Sequence, residues 1–186
     1  MVPGVAREGS RSVAGRREEL TRRITVEKAS ERDIGGIAVL LLELAEADDA
    51  LDEFEMTAER LKQHAFGIRP AIEFLAGYVD GELAGFAAFY HNYSTYHARP
   101  CLYLEDIYVT PARRRLGLGR QLINEVLKIS VERDCPRVDG IVYRDNHNAR
   151  RFYKNLGAKP LKQWTLYRVA RKEVIAYLEE ERVIVG

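Results

Sequence analysis

Leu102-Tyr103-Leu104-Glu105-Asp106-Ile107-Tyr108-Val109 runs through Thr110-Pro111-Ala112 into Arg113-Arg114-Arg115-Leu116-Gly117-Leu118-Gly119-Arg120. The first half is apolar, aromatic and β-branched and predicts a buried strand. Pro111 cannot extend a ladder and ends it. After the glycines, Leu118, Leu122, Val126 and Ile129 recur at helical spacing, with Ile123 and Leu127 beside them. A strand that feeds a glycine loop at a helix N-terminus presents bare backbone N–H groups and the positive end of a helix dipole. That combination receives a phosphate or diphosphate. The spacing Arg114-x-x-Gly117-x-Gly119 lacks the Lys-Ser/Thr of a P-loop and the third glycine of a dinucleotide fingerprint.

The chain of 186 residues is 46% hydrophobic, enough to build a full core. Lys and Arg number 29 against 28 Asp and Glu, so the formal charge of +1 gives no global footprint for nucleic acid or an anionic membrane. Cys101 and Cys135 stand in no metal or redox spacing and read as small reduced core residues of a cytoplasmic protein. No apolar run is long enough for a membrane span, and no signal-peptide core is seen.

Residues 1–23 carry arginines among Ser, Gly and Glu and predict a basic, disordered extension; Glu8, Glu18 and Glu19 argue against an organelle transit peptide. Residues 24–186 then form one expected domain. Ile24–Glu27 reads as a strand, and Ser30 to Asp33 as a capping box opening a helix through Leu44. That helix ends in Glu46-Ala47-Asp48-Asp49, acids placed against the dipole, which fits either a binding site for a cationic substrate or a solvated helix end. Thr57 caps a second helix. Ile72–Val79 and Glu82–Tyr90 form a hairpin across Asp80-Gly81. His91 to His97 reads as a polar aromatic link. Arg137–Tyr143 is a strand expected beside Leu102–Val109. Asn146 or Asn148 caps a short helix carrying Ala149, Phe152, Tyr153 and Leu156, with Gly157 at C′. Trp164–Val169 is expected as a last strand and Arg171–Arg182 as a closing helix. The order predicts a mixed α/β fold: an antiparallel meander, then a crossover helix to a parallel neighbour.

The glycine loop resembles the acetyl-CoA loop of the GCN5-related N-acetyltransferases. Phe89 to Tyr96, Tyr103 to Val109, Asn146, and Arg151 to Ala158 are similar to the spermidine/spermine (diamine) N-acetyltransferase branch, over about Ile24 to Val169. The resemblance implies a central mixed, mostly antiparallel sheet flanked by helices. It implies that Ile107, Tyr108 and Val109 pair their backbone with the pantetheine arm, and that Arg114, Arg115, Leu116, Gly117, Leu118, Gly119 and Arg120 receive the diphosphate. Asn146 and Tyr153 would also contact acetyl-CoA. Tyr153 would be the general acid beside the sulfur, Glu105 would face the acceptor amine, and Asp48, Asp106 and Tyr93 would line its site. A homodimer is implied, expected through Gln163–Val169; no metal and no nucleic acid are. Arg144-Asp145-Asn146 stands where the family usually has Asp-Trp-Asn, and Ala47 where an aromatic is common, so the acceptor pocket is its own.

The residues suit the chemistry. At pH 7 an alkylamine with a pKa of about 10.4 is neutral in only about one molecule in 2,500, a selection costing roughly 4.6 kcal/mol. A carboxylate beside an ammonium stabilises the charged form. Glu105 therefore serves as an anchor for the cation, able to relay its proton through water. Tyr153, with an ordinary phenol pKa near 10, stays protonated at neutral pH and can donate to a leaving thiolate. The expected reaction is acetyl transfer from acetyl-CoA to a primary amine of a small cation, by direct attack in a ternary complex. The alternatives of the same fold are a protein or peptide amine as acceptor, or a non-catalytic acyl-CoA-binding module.

Overall fold

The computed structural model describes residues 22–184. They fall into two compact units, divided between Ile141 and Val142.

The first unit is a mixed sheet of five strands in the order β1-β2-β3-β4-β5. Its strands are β1 (Ile24–Lys28), β2 (Glu73–Val79), β3 (Glu82–Ser94), β4 (Arg99–Val109) and β5 (Val138–Gly140). The first four form the antiparallel meander, and β5 joins β4 in parallel. Asp80 and Gly81, at φ 55° and 85°, make the tight turn between β2 and β3. Two left-handed central residues give the turn a twist that matches the strands it joins.

Helix α1 (Ile34–Ala47) and helix α2 (Ala58–Phe66) cover one face. The Ser30 amide donates to Asp33 Oδ2 at 2.7 Å, so the acidic half of the expected box turns the chain into α1. Thr57 Oγ1 accepts the Arg60 amide at 3.2 Å and caps α2. Ile34, Ile37, Leu40, Leu61 and Ala65 pack there on Phe74, Ala76, Phe86, Ala88 and Tyr108.

Alternation along the strands sends Leu75, Ala87 and Phe89 to the opposite face. Helix α3 (Leu118–Glu132) crosses that side with Leu118, Leu122, Ile123 and Val126 buried. A notch in the sheet seats its first turn. A Cβ on Gly77 would come within 2.7 Å of Leu118 Cδ1, and one on Gly85 within 2.5 Å of the Tyr108 carbonyl oxygen. The two glycines let Leu118 settle close to the sheet, which fixes where the preceding loop lies.

In the second unit, helix α4 (His147–Asn155) is capped by Asn146, whose Oδ1 accepts the Ala149 amide at 3.0 Å. Gly157, at φ 87°, follows its end, where the helix needs a left-handed residue. Helix α5 spans Arg171–Ile184.

Three expectations are corrected. The expected link from His91 onward is not a link: β3 runs on to Ser94 and pairs with β4 to Arg99, and only Thr95 to Ala98 turn. The strand expected over Arg137–Tyr143 is confined to Val138–Gly140. Trp164–Val169 forms no strand, because a β-rich run needs a ladder partner and none of the described residues supplies one.

Candidate active site

β4 loses its parallel neighbour partway along. The ladder to β5 covers Leu102, Tyr103 and Leu104 and stops there, while the ladder to β3 continues to Val109. From Glu105 to Val109 the strand is therefore paired on one side only, among the described residues.

The break coincides with a bulge. Leu104 stands opposite Phe89 and Asp106 opposite Ala88, so Glu105 is the extra residue on β4. Bulges re-aim side chains beside functional sites. In a regular strand Tyr103 and Glu105 would share one face and Asp106 would point to the other. With the extra residue, Asp106 shares the face of its partner Ala88, which carries α1. Tyr103, opposite Tyr90, lies on the same face, with their ring centroids 5.2 Å apart.

The electrostatics follow from this packing. Burial, then the charges of Glu105 and Asp48, push the Asp106 carboxyl up to about 6. Desolvation also raises Asp48, which closes the C-terminus of α1. Burial and then Glu105 raise the phenols of Tyr90 and Tyr103. Among the described residues, no ion pair or hydrogen bond engages the side chain of Asp48, Glu105 or Asp106. A buried carboxyl in the field of two further acids, with no cation beside it among the described residues, forms a site that a positive ligand would relieve.

Beyond β4 the chain makes one 3-10 turn, Pro111–Arg113, and enters the glycine loop. Arg115 at φ 64° and Gly117 at φ 100° are both left-handed. Gly117 meets nothing within 4 Å of a Cβ, so its requirement is the φ angle and not space. Gln121 is the first residue of α3 whose amide reaches back, to the Gly117 carbonyl. Among the described residues, the amides from Arg115 to Arg120 find no acceptor. They form a concavity of donors at a helix N-terminus, suited to a diphosphate. The arginines ahead of it differ. Arg113 pairs with Glu82 at 2.6 Å; Arg114 donates from Nε to the Val109 carbonyl at 2.8 Å and lies with its guanidinium carbon 5.5 Å from the Tyr108 ring centroid.

Asp48 and Glu105 thus lie near enough for their charges to act on Asp106, and Ile107, Tyr108 and Val109 follow Asp106 along β4 toward the loop. Tyr93 is elsewhere: it faces Pro100 in the β3–β4 ladder and is 61% exposed, not among the groups acting on Asp106. Asn146 and Tyr153 belong to the second unit, where Asn146 spends its side chain on the α4 cap and the half-buried Tyr153 stacks edge-on with Phe152 at 5.5 Å. Tyr90 and Tyr103 lie within the field of Glu105, which the sequence alone does not reveal. Their signal was the aromatic pair flanking the polar segment, visible only with the register in hand. Among the described residues, no group of three or more His, Cys, Asp or Glu could hold a metal, and no helix is long and apolar enough to cross a membrane.

Comparison with known proteins agrees with this layout. The model of the acetyltransferase (GNAT) family matches residues 38–158. The chain is 32% identical over 156 residues to the thialysine N-epsilon-acetyltransferase of Bos taurus, covering 78% of this chain and 91% of that one. It is 31% identical over 166 residues to the spermidine/spermine N(1)-acetyltransferase-like protein 1 of Homo sapiens, covering 84% of this chain and 24% of the other. Among solved structures, the aminoglycoside N-acetyltransferase AAC(6')-Iy in complex with CoA superposes with a TM-score of 0.63 at 20% identity, over 80% of this chain and 96% of that one. The strand that splits from its neighbour, the glycine loop behind it and the matched family model together make this chain a member of the acetyltransferase (GNAT) family, an acetyltransferase by descent as well as by fold.

Proposed function

We propose that the chain transfers the acetyl group of acetyl-CoA to a primary amine of a small cation, a diamine, polyamine or lysine-like amino acid, by direct attack in a ternary complex. The observation that carries the acceptor is the uncompensated set of Glu105 and Asp106, on the strand that leads into the loop, with Asp48 at the end of α1. Similarity to a thialysine acetyltransferase and a spermidine/spermine acetyltransferase-like protein supports the same class.

The residues fit acetyl-CoA. The open amides from Arg115 to Arg120 would hold its diphosphate, and the half-paired backbone of Ile107 to Val109 its pantetheine arm. When bound it supplies an activated acyl carbon and a thiolate leaving group. The protein does the rest. Glu105 and Asp106 anchor the ammonium, and Glu105 takes its proton through water. Tyr153 gives a proton to sulfur as the N–C bond forms and the C–S bond breaks. Asp48 holds a distal positive charge of the acceptor. The same reading takes the enzyme to be a cytoplasmic homodimer, which light scattering on the eluting protein would test.

A thiol-release assay with acetyl-CoA and a panel of amines decides the acceptor. Turnover with diamines, polyamines or lysine-like amino acids is expected. Turnover confined to peptide amines would move the acceptor to a macromolecule, and CoA binding without thiol release for any amine would remove catalysis.

A further inference from the structure

The Tyr108 ring belongs to the core on the α1 face, 6% exposed, with the Phe86 ring at 6.3 Å. A phenylalanine would fill that place equally well, so the hydroxyl is not there for packing. It donates to Glu43 Oε2 at 3.1 Å, from a helix that otherwise faces the amine site with its C-terminus. Arg114 also meets this tyrosine, its guanidinium carbon 5.5 Å from the ring centroid and its Nε bonded to the Val109 carbonyl at 2.8 Å. Burial first, then the bond and charge of Glu43, push the phenol up, and Arg114 draws it down. The net shift is upward, so the phenol keeps its proton and remains a donor. A carboxylate, a phenol and a guanidinium thus adjoin one another, drawn from α1, β4 and the start of the glycine loop.

Arg114 is the one of the three loop arginines held in this way. Arg113 is paired with Glu82, and Arg115 is exposed at a left-handed φ. A guanidinium has five N–H donors in a rigid fork; beyond Nε, spent on the Val109 carbonyl, and its contact with the Tyr108 phenol, Arg114 keeps terminal N–H groups for an anion. Long charged side chains lose rotamer freedom on binding, a cost that prior positioning reduces.

We propose that Glu43 and Tyr108 are positioning residues of the acyl-donor site, fixing the Arg114 guanidinium at the loop so that its terminal N–H groups meet a CoA phosphate. This rests on the reading of the loop as the CoA site. Neither side chain touches the donor; each acts through Arg114.

Calorimetric titration with CoA tests it, using the full chain as wild type, Tyr108→Phe, Glu43→Gln, Arg114→Ala, and the first two each combined with Arg114→Ala. Melting temperatures are taken in parallel. A single hydrogen bond of this kind is worth a factor of about 3 to 5 in affinity. Tyr108→Phe and Glu43→Gln should each weaken CoA by about that factor in the wild-type background and leave it unchanged once Arg114 is alanine, because coupled residues are non-additive. A merely structural tyrosine would weaken both backgrounds alike. That result, or no weakening in the wild-type background, overturns the proposal. If the Tyr108 variant does not fold, the Glu43 cycle decides in its place by the same two outcomes. A wild-type protein that binds no CoA overturns the loop reading and this inference with it; CoA binding that ignores Tyr108 and Glu43 overturns this inference alone.

Discussion

Asp106 shows how one carboxyl can cost stability and serve a site. Its folded pKa of about 6 lies above its ordinary 3.8, because burial and two neighbouring acids oppose its charge. The sign follows from proton linkage. Between those two values the folded state binds more protons than the unfolded one, so this group makes stability fall as pH rises from about 4 to 6 and then level off. Asp106→Asn removes that penalty. In urea unfolding the variant should gain on the wild type as pH rises through this window, stay ahead at pH 7, and match it near pH 4. The same change deletes an anchor for the amine, so the amine KM should rise about tenfold or more with the acetyl-CoA KM little altered. A variant that is no more stable at pH 7 would mean that Asp106 is already paired or solvated. Tyr153 is tested by Tyr153→Phe, which should cut turnover by about 10²-fold with acetyl-CoA affinity kept. Unaltered turnover would remove it from the chemistry.

At the scale of the element, the glycine loop works because α3 is seated first. Gly117→Val forces a β-branched residue to φ 100° and should abolish CoA binding, whereas Arg113→Ala only releases an exposed pair with Glu82 and should leave it intact. Titration with CoA would show the reverse order if side-chain charge dominated. Gly85→Ala acts one step back. Its Cβ would sit 2.5 Å from a backbone oxygen, which cannot rotate away, so a loss of about 1–3 kcal/mol in denaturant unfolding is expected. Much of this element was legible in the sequence, because its signals are local: Pro111 stops the strand, Gly117 needs its own φ, and Asp80-Gly81 closes a hairpin by its own conformation. The bulge at Glu105 was not legible. It is a property of the pairing between two strands, and nothing in Leu104-Glu105-Asp106 announces it. A strict alternation would have split Glu105 from Asp106, yet their common service depends on the extra residue. The strand expected at Trp164–Val169 failed for the same reason in reverse: its β propensity is real, but a ladder is a relation between two segments.

Across the whole molecule the charges nearly cancel, at +1, so no general field draws a polycation in. Attraction has to come from Asp48, Glu105 and Asp106, which carry no cation of their own among the described residues. This predicts a salt response of a particular kind. With acetyl-CoA saturating, the KM of a diamine should rise several-fold, roughly tenfold at most, as ionic strength goes from about 0.05 to 0.5 M, because salt screens the attraction between the acids and the approaching cation. A monoamine of equal chain length should respond less, since it brings one charge where the diamine brings two. Asp48→Asn should flatten the diamine response toward that of the monoamine and leave the monoamine unchanged, because Asp48 lies at the end of α1 and serves the distal charge. Initial rates for two amines and two proteins across the salt series are enough to decide. An equally steep diamine response in Asp48→Asn, or a monoamine as salt-sensitive as the diamine, would show that the acids act as a single diffuse potential and that Asp48 has no separate part in choosing the acceptor.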